Sequence, residues 1–165
     1  MRTLIVYGSR WGCTDEFAEF IREQLGDEEF VIFTHIDTQD PPTVADYDRI
    51  IMGGSIVYGR IGRKLKRFME EYRALLLQRE IGLFLCTLSG EEHSRKLFTK
   101  VFPRDLREHA KASCIPGGMV HLEALSPISR RIVTRRFKTL DTRNYEVLKD
   151  FARDMKRFKK RTPAS

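Results

Sequence analysis

The stretch IVYGSRWGCTDEFAEFI, residues 5–21, decides the fold. Its apolar run ends at Tyr7, and two glycines, two hydroxyl residues and a cysteine follow within seven positions. From Thr14 onward, apolar residues recur at spacings of three and four, which predicts a helix. A strand, a turn of small residues and a helix are therefore predicted, and this is the first unit of an α/β protein.

The rest of the chain repeats this alternation. Short apolar runs predict strands at 3–7, 30–34, 49–53, 81–87 and 112–120. Amphipathic segments predict helices at 14–25, 62–78, 94–110 (with a break at Pro103) and 144–158. Several of the strands are apolar on consecutive residues, as buried parallel strands are. The pattern predicts a parallel sheet covered by helices on both faces, with one extra segment before the last helix.

Composition narrows the classes of function. The chain has 165 residues, which fits one domain. Its net charge of +7 indicates acidic partners, and the alternative is a basic solvated surface. Nucleic acid is not expected, because no motif combines aromatic and basic residues as single-strand binders do. No segment resembles a signal peptide or is long enough to span a bilayer, so the cytoplasm is the expected location.

The potential metal ligands are widely scattered. Cys13, Cys86 and Cys114 form no C-x-x-C pair, which argues against a zinc site or a dithiol redox centre. Cys86 and Cys114 lie in apolar runs and are predicted to pack as small hydrophobic residues. The four histidines show no metal-ligand spacing, so no metal is predicted.

The turn at 9–14 is a candidate phosphate site. In doubly wound sheets, ligands bind beyond the carboxyl ends of the strands. Small residues there let backbone N–H groups form a nest, and the following helix points its positive end at the same place. Ser9 and Thr14 add hydroxyl donors, and Thr14 is also a candidate N-cap. The alternative is an ordinary capped turn, and neither G-x-G-x-x-G nor a Walker loop is present.

Two further loops at strand ends converge on the same crevice. These are GGSIVYGR, residues 53–60, and TLSGEEH, residues 87–93. Gly54, Ser55 and Gly59 allow close backbone approach, and Tyr58 offers an aromatic plate. A phosphate nest beside such a loop suits a flat, phosphorylated ring system.

These motifs carry a resemblance that covers nearly the whole chain. GSRWGCT followed by GGSIVYGR resembles the flavodoxin family, which binds FMN. S-x-x-G-x-T together with YDRIIMGGSIVYGR looks like the flavodoxin-like menaquinone-dependent protoporphyrinogen dehydrogenases of haem synthesis. The resemblance implies a flavodoxin-like doubly wound five-stranded parallel sheet of order 2-1-3-4-5. It also implies one FMN-binding domain at 1–161, with a basic insert at about 121–143 and a tail at 162–165.

The resemblance also implies where FMN is held. Its phosphate lies on the N–H groups of residues 10–14 and on the hydroxyls of Ser9 and Thr14. The ring lies between the 54–59 and 87–93 loops, where Tyr58 stacks and a carbonyl at 57–59 accepts a hydrogen bond from the reduced ring. The implied cofactor-binding residues are Ser9, Arg10, Trp11, Gly12, Cys13, Thr14, Gly54, Ser55, Ile56, Val57, Tyr58, Gly59, Leu88, Ser89, Gly90 and His93. Leu88 or His93 covers the second ring face, Trp11 replaces a common hydroxyl residue, and no catalytic residue is assigned. Cys13 is interpreted as a small tolerated residue rather than a catalytic thiol, because no base is near it in sequence.

The segment at 124–143 departs most from a minimal flavodoxin. One helical stripe is apolar, and basic residues flank it: the stripe is Ile128, Ile132, Val133 and Phe137, and its flanks are Arg130, Arg131, Arg135, Arg136 and Lys138. Such a helix lies on an anionic membrane surface or binds an acidic partner, through Arg130, Arg131, Arg135 and Arg136. The alternative is that the stripe packs on the protein's own core.

Two functions from different classes follow. The first is an FMN-dependent oxidoreductase that resembles protoporphyrinogen IX dehydrogenase and passes electrons to a quinone, at the inner face of the membrane. The second is an electron carrier that docks to an acidic redox partner protein. A flavin-free binding module is a third interpretation. Basic surroundings stabilise an anionic reduced flavin and raise its potential, which favours a quinone as acceptor.

Overall fold

A five-stranded parallel sheet organises the protein. The computed structural model describes residues 1–8, 13–26, 30–56 and 59–157. The strands are β1 (Arg2–Gly8), β2 (Phe30–His35), β3 (Arg49–Ser55), β4 (Glu80–Cys86) and β5 (Ala112–Cys114). Their order is β2-β1-β3-β4-β5 and every pair is parallel, which confirms the predicted 2-1-3-4-5 fold.

Helices cover both faces of this sheet. They are α1 (Cys13–Leu25), α2 (Arg63–Glu71), α3 (Arg73–Leu76), α4 (Glu91–Val101), α5 (Arg104–His109), α6 (Pro127–Arg136) and α7 (Tyr145–Lys156). Side chains alternate along each strand, so Ile5 and Ile51 pack with α1 and α7, while Leu4 and Val6 pack with α2 to α5. The strands are apolar on consecutive residues because both faces are buried.

Two predicted helices differ from those observed. The segment 62–78 forms two helices that meet at Tyr72, whose backbone leaves the helical region at φ −96° and ψ 14°. The segment 94–110 breaks at Pro103, as predicted, but begins earlier, at Glu91. Helix α1 begins at Cys13, so Thr14 lies in the first turn and is not the predicted N-cap.

Strand β5 ends well short of the predicted 112–120. Pro116 has no N–H to donate to the sheet, and Gly117 turns the chain with φ 80°. The Pro116 carbonyl accepts from Asn144 N at 2.8 Å, and the Gly117 carbonyl accepts from Thr87 N at 3.1 Å. The prediction of a long strand was wrong because these contacts take the chain away from the sheet.

The extra segment before α7 is an excursion with a closed base. Val120 N donates to the Leu140 carbonyl at 3.0 Å, and Thr142 N donates to the Gly118 carbonyl at 2.8 Å. Met119 and Asp141 form an antiparallel bridge between these bonds. The base therefore holds both ends of the insert, and α6 lies within it.

Candidate functional site

A cavity opens at the carboxyl ends of β3 and β4. It has a volume of about 80 Å³ and is open to solvent. The end of β3, the loop after β4, the start of α1 and the insert each contribute to its wall. The lining residues are Cys13, Ser55, Ile56, Gly59, Cys86, Thr87, Leu88, Ser89, His93, Leu97, Gly118, Met119, Val120, Ile132, Val133, Arg136 and Phe137.

The structure brings together many of the residues that the sequence pointed to. Seven line the cavity: Cys13, Ser55, Ile56, Gly59, Leu88, Ser89 and His93. Thr14 is fully buried beside Cys13. Gly54 faces α2, since a Cβ there would lie 3.1 Å from Leu65 Cδ2, and Gly90 faces open space. Ser9, Arg10, Trp11, Gly12, Val57 and Tyr58 lie outside the described residues.

Local hydrogen bonds shape the loop after β4. Ser89 N donates to Thr87 Oγ1 at 3.1 Å, and Ser94 Oγ donates to the Ser89 carbonyl at 2.8 Å. Thr87 and Ser94 are both buried, and the hydroxyl of each forms its hydrogen bond within this loop. Ile56 N donates to the Cys86 carbonyl at 3.1 Å, which joins the chain after β3 to the end of β4. Ile56 and the loop after β4 therefore contribute to the same wall of the cavity.

The burial and hydrogen bonding of the Thr14 side chain indicate whether the site suits a phosphate. Its side chain is fully buried, and among the described residues its Oγ1 has no hydrogen-bond partner except a weak contact with the Cys86 thiol. A buried hydroxyl without a good partner is costly, and native proteins rarely leave one. The hydroxyl lies in the first turn of α1, where the N–H groups of a helix favour an anion. This arrangement fits the phosphate of FMN, which Thr14 would hold together with the start of α1.

The insert roofs the cavity, which sequence reasoning did not foresee. Val133 is buried on the cavity side of α6, and Phe137 and Arg136 lie at the end of that helix. Met119 and Val120 add to the wall from the base of the insert. The apolar stripe predicted on this segment was the sequence feature that could have indicated this contact with the cavity. The stripe is only partly buried, because the side chains of Ile128 and Ile132 remain 75% and 43% exposed.

An ion-pair cluster attaches the insert to α1. Arg143 donates to Glu16 Oε2 at 2.8 Å and to Asp141 at 2.9–3.0 Å. Its guanidinium lowers the pKa of the Asp141 carboxyl. Because Asp141 belongs to the base of the insert and Glu16 to α1, this one side chain holds the roof against the helix that begins at the site.

Two thiols meet in the cavity wall. Cys13 is the first residue of α1 and Cys86 is the last of β4, and their side chains are in hydrogen-bonding contact. The hydrogen bond with Cys86 lowers the pKa of Cys13, and the Met119 backbone and Arg143 add to this effect. Burial raises the pKa of Cys86 well above its usual value. Cys13 and Cys86 therefore lie close together, although no C-x-x-C pair links them in the sequence.

Gly59 has the left-handed backbone that only small residues adopt without strain, with φ 75°. Nothing lies within 4 Å of a Cβ built there, so substitution strains the backbone without a clash. We expect Gly59→Ala to lower the free energy of unfolding by about 1 kcal/mol, measured by urea denaturation. Gly59→Asn is the control and should lose less, since asparagine tolerates this conformation. Equal losses in the two variants would contradict the strain argument.

The described residues contain neither a cluster of metal ligands nor a membrane-spanning helix. Across 1–8, 13–26, 30–56 and 59–157, no group of three His, Cys, Asp or Glu side chains could hold a metal ion. Within the same ranges, no helix has the length and apolar character needed to cross a bilayer. The cavity is thus the feature on which a function can be argued.

The fold and the cavity define a doubly wound α/β protein with a cavity at its strand ends. The family model described as "Flavodoxin domain" matches residues 4–144, so the chain belongs to the flavodoxin domain family. This membership indicates FMN as the cofactor. No curated protein matches the chain significantly.

Solved structures share this fold. Oxidised flavodoxin 2 from Bacillus cereus is 18% identical, with a TM-score of 0.59 over 94% of this chain and 97% of that one. The Streptococcus pneumoniae TIGR4 flavodoxin is 15% identical, with a TM-score of 0.56 and the same coverage. The apo form of the NADH:FMN oxidoreductase EmoB is 12% identical, with a TM-score of 0.55 over 87% of this chain and 94% of that one. At these identities the likeness is one of fold.

Proposed function

We propose that this protein is an FMN-dependent oxidoreductase that oxidises a porphyrinogen, as protoporphyrinogen IX dehydrogenases do, and passes the electrons to a quinone. FMN, when bound, accepts hydride or electrons, and the protein supplies binding, orientation and electrostatics. Thr14 and the start of α1 hold the phosphate, and the loops after β3 and β4 hold the ring. The substrate enters beneath α6.

The roof over the cavity carries this proposal. A carrier that only exchanges electrons with another protein needs an exposed ring edge and no enclosing helix. Here Val133 and Phe137 present apolar surface to the cavity, and Arg136 presents a guanidinium. A tetrapyrrole is a large apolar molecule with two carboxylates, and these side chains match both properties.

The charges around the site favour a quinone as acceptor. The net charge of +7 stabilises an anionic reduced flavin and so raises its potential. Glu91 and Glu92 begin the helix beside the cavity and would oppose this effect. Arg95 and Lys96 pair with them at 2.6 Å and 3.2 Å and so offset their charges.

An anaerobic assay tests the proposal. The FMN-loaded protein is mixed with protoporphyrinogen IX and menadione, and the fluorescence of the porphyrin product is followed. We expect formation of porphyrin well above the rate without protein, together with reduction of the quinone. Yellow, FMN-bound protein that gives no such acceleration would overturn the enzymatic proposal. Protein that stays colourless after incubation with FMN would contradict the proposal that it binds FMN.

Arg136 is the residue that we expect to bind a substrate carboxylate. Arg136→Gln should raise the KM for the porphyrinogen by roughly tenfold, because a charge-assisted hydrogen bond is lost. The affinity for FMN should stay unchanged. Arg135→Gln is the matched control, since Arg135 is its neighbour on α6, is exposed and does not line the cavity. An equal rise in KM for both variants would point to general charge rather than to a contact in the cavity.

The outer side of α6 suits the surface of an anionic membrane, from which a quinone would arrive. Ile128 is exposed there, and the basic side chains around it, Arg130, Arg131, Arg135 and Lys138, form no ion pair with an acidic group in the described part of the chain. We expect binding to phosphatidylserine vesicles, weakened at least about tenfold by Arg131→Glu with Arg135→Glu. Lys66→Glu with Lys100→Glu changes the charge equally on other helices and is the control. Equal weakening in both double variants, or no binding by the unchanged protein, would contradict this contact.

A second candidate function is electron transfer to an acidic redox partner. The basic net charge favours it, because oppositely charged surfaces speed association. It predicts two separate one-electron steps in a redox titration of the flavin and fast exchange with a partner protein. It also predicts no dependence of that exchange on Arg136, which separates it from the enzymatic proposal.

A further inference from the structure

The Cys13–Cys86 pair is the feature of the cavity that the proposed function leaves unused. Cys13 and Cys86 are 4% and 2% exposed, and both belong to the core cluster between the sheet and α1 with α7. Their side chains come from elements far apart in sequence, yet they line the same cavity, and the interaction of the two thiols shifts the pKa of each. Both thiols are in the reduced state, as is that of Cys114.

The pair is buried but can be reached by a small molecule. Both residues line the cavity, which is open to solvent. A peroxide is close to water in size and can approach the two sulfur atoms through this opening. Cys114 lies on β5 and lines a different groove, on the side of α4. Cys114 is more exposed than either thiol of the pair, but it does not line the cavity that they share.

We propose that Cys13 and Cys86 form a reversible disulfide when the protein meets hydrogen peroxide, and that the sulfur of Cys13 is oxidised first. The Cys13 thiolate attacks a peroxide oxygen, the O–O bond breaks, and hydroxide leaves and is protonated to water. The sulfur of Cys86 then attacks the oxidised Cys13 sulfur. The S–S bond forms, the S–O bond breaks, and a second water carries away the Cys86 proton. Two thiols lose two electrons, which reduce one peroxide to two waters.

The environments of the two sulfur atoms assign these roles. Cys13 begins a helix and its pKa is lowered, first by its hydrogen bond with Cys86, so it supplies the thiolate. Burial keeps Cys86 protonated, which suits the thiol that attacks second. Burial also raises the pKa of Cys114 strongly, so Cys114 should react slowly. A thiol as reductant should reverse the change.

Peptide mapping of the whole protein tests this inference without reference to the ligand of the cavity. The protein is treated with a small excess of hydrogen peroxide, denatured with a thiol-blocking reagent present, and mapped. We expect the mass to fall by two hydrogen atoms, the free thiols to fall from three to one, and the peptides that hold Cys13 and Cys86 to be linked. Dithiothreitol should restore all three. Three free thiols after treatment, or a link between Cys86 and Cys114, would overturn the proposal.

Single variants identify the order of attack. Cys86→Ser leaves Cys13 without its partner, so dimedone should trap a sulfenic acid on Cys13 during peroxide treatment. Cys114→Ser is the matched control and should form the disulfide as the unchanged protein does. Labelling of Cys114 in place of Cys13 in the Cys86→Ser protein would overturn the assignment. Failure of FMN to bind in any of these proteins would count against the proposed function and not against the thiol pair.

Discussion

We expect Thr14→Val to weaken the binding of FMN by roughly ten- to a hundredfold while the fold stays intact. The hydroxyl of Thr14 is fully buried and lacks a strong partner, and a phosphate at the start of α1 would supply one. A hydrogen bond to a charged group contributes about 1.5–3 kcal/mol, which corresponds to this loss of affinity. Fluorescence titration of FMN measures the dissociation constant directly.

Stability of the free protein separates this effect from misfolding. Valine has nearly the shape of threonine and removes a poorly satisfied buried hydroxyl, so the ligand-free variant should be no less stable than the unchanged protein. Added FMN should then raise its melting temperature less. Thr14→Ser keeps the hydroxyl and should keep most of the affinity. Thr3→Val makes the same substitution in β1, away from the start of α1, and should leave the affinity for FMN unaltered. An unchanged dissociation constant in Thr14→Val would show that the phosphate lies elsewhere.

We expect Gly53→Ala to lower the free energy of unfolding by about 1–3 kcal/mol, with a value near the upper end of that range. Gly53 lies in the middle of the sheet, beside Phe84 of β4. A Cβ there would lie 2.0 Å from Phe84 Cζ, and that ring is fully buried, so it cannot move into solvent. Urea denaturation measures the loss, and Gly53→Val should lose more.

A smaller neighbour should relieve this clash. Phe84→Leu alone leaves a cavity and destabilises the protein. In the double variant the added methyl group occupies part of that space, so the combined loss should be clearly smaller than the sum of the two single losses. Additive losses would mean that the ring of Phe84 is not what excludes a side chain at position 53.

The alternation of strands and helices could be predicted from local pattern alone. Buried parallel strands carry apolar residues on consecutive positions, and helices carry them at spacings of three and four. The break at Pro103 was likewise predictable, because proline lacks an N–H and has a restricted backbone. The strand order was predicted from the resemblance of two loops to those of the flavodoxin family, and the observed strand order agrees with it.

Other features depended on contacts between distant parts of the chain. Gly117 ends β5 early because its carbonyl bonds to Thr87, and no pattern within 112–120 reveals that partner. The apolar stripe on α6 was visible, but its division between Val133, which is buried, and Ile128, which is exposed, depends on where the insert lies.

The sequence by itself determined the class of fold, the loops that meet at the strand ends and the basic character of the insert, because periodicity and turn chemistry are local properties. Tertiary structure alone decided that the insert roofs the cavity, that Thr14 is buried without a strong partner and that Cys13 touches Cys86. Each of these is a contact between segments far apart in the chain, and such contacts exist only once the sheet has brought the strand ends together.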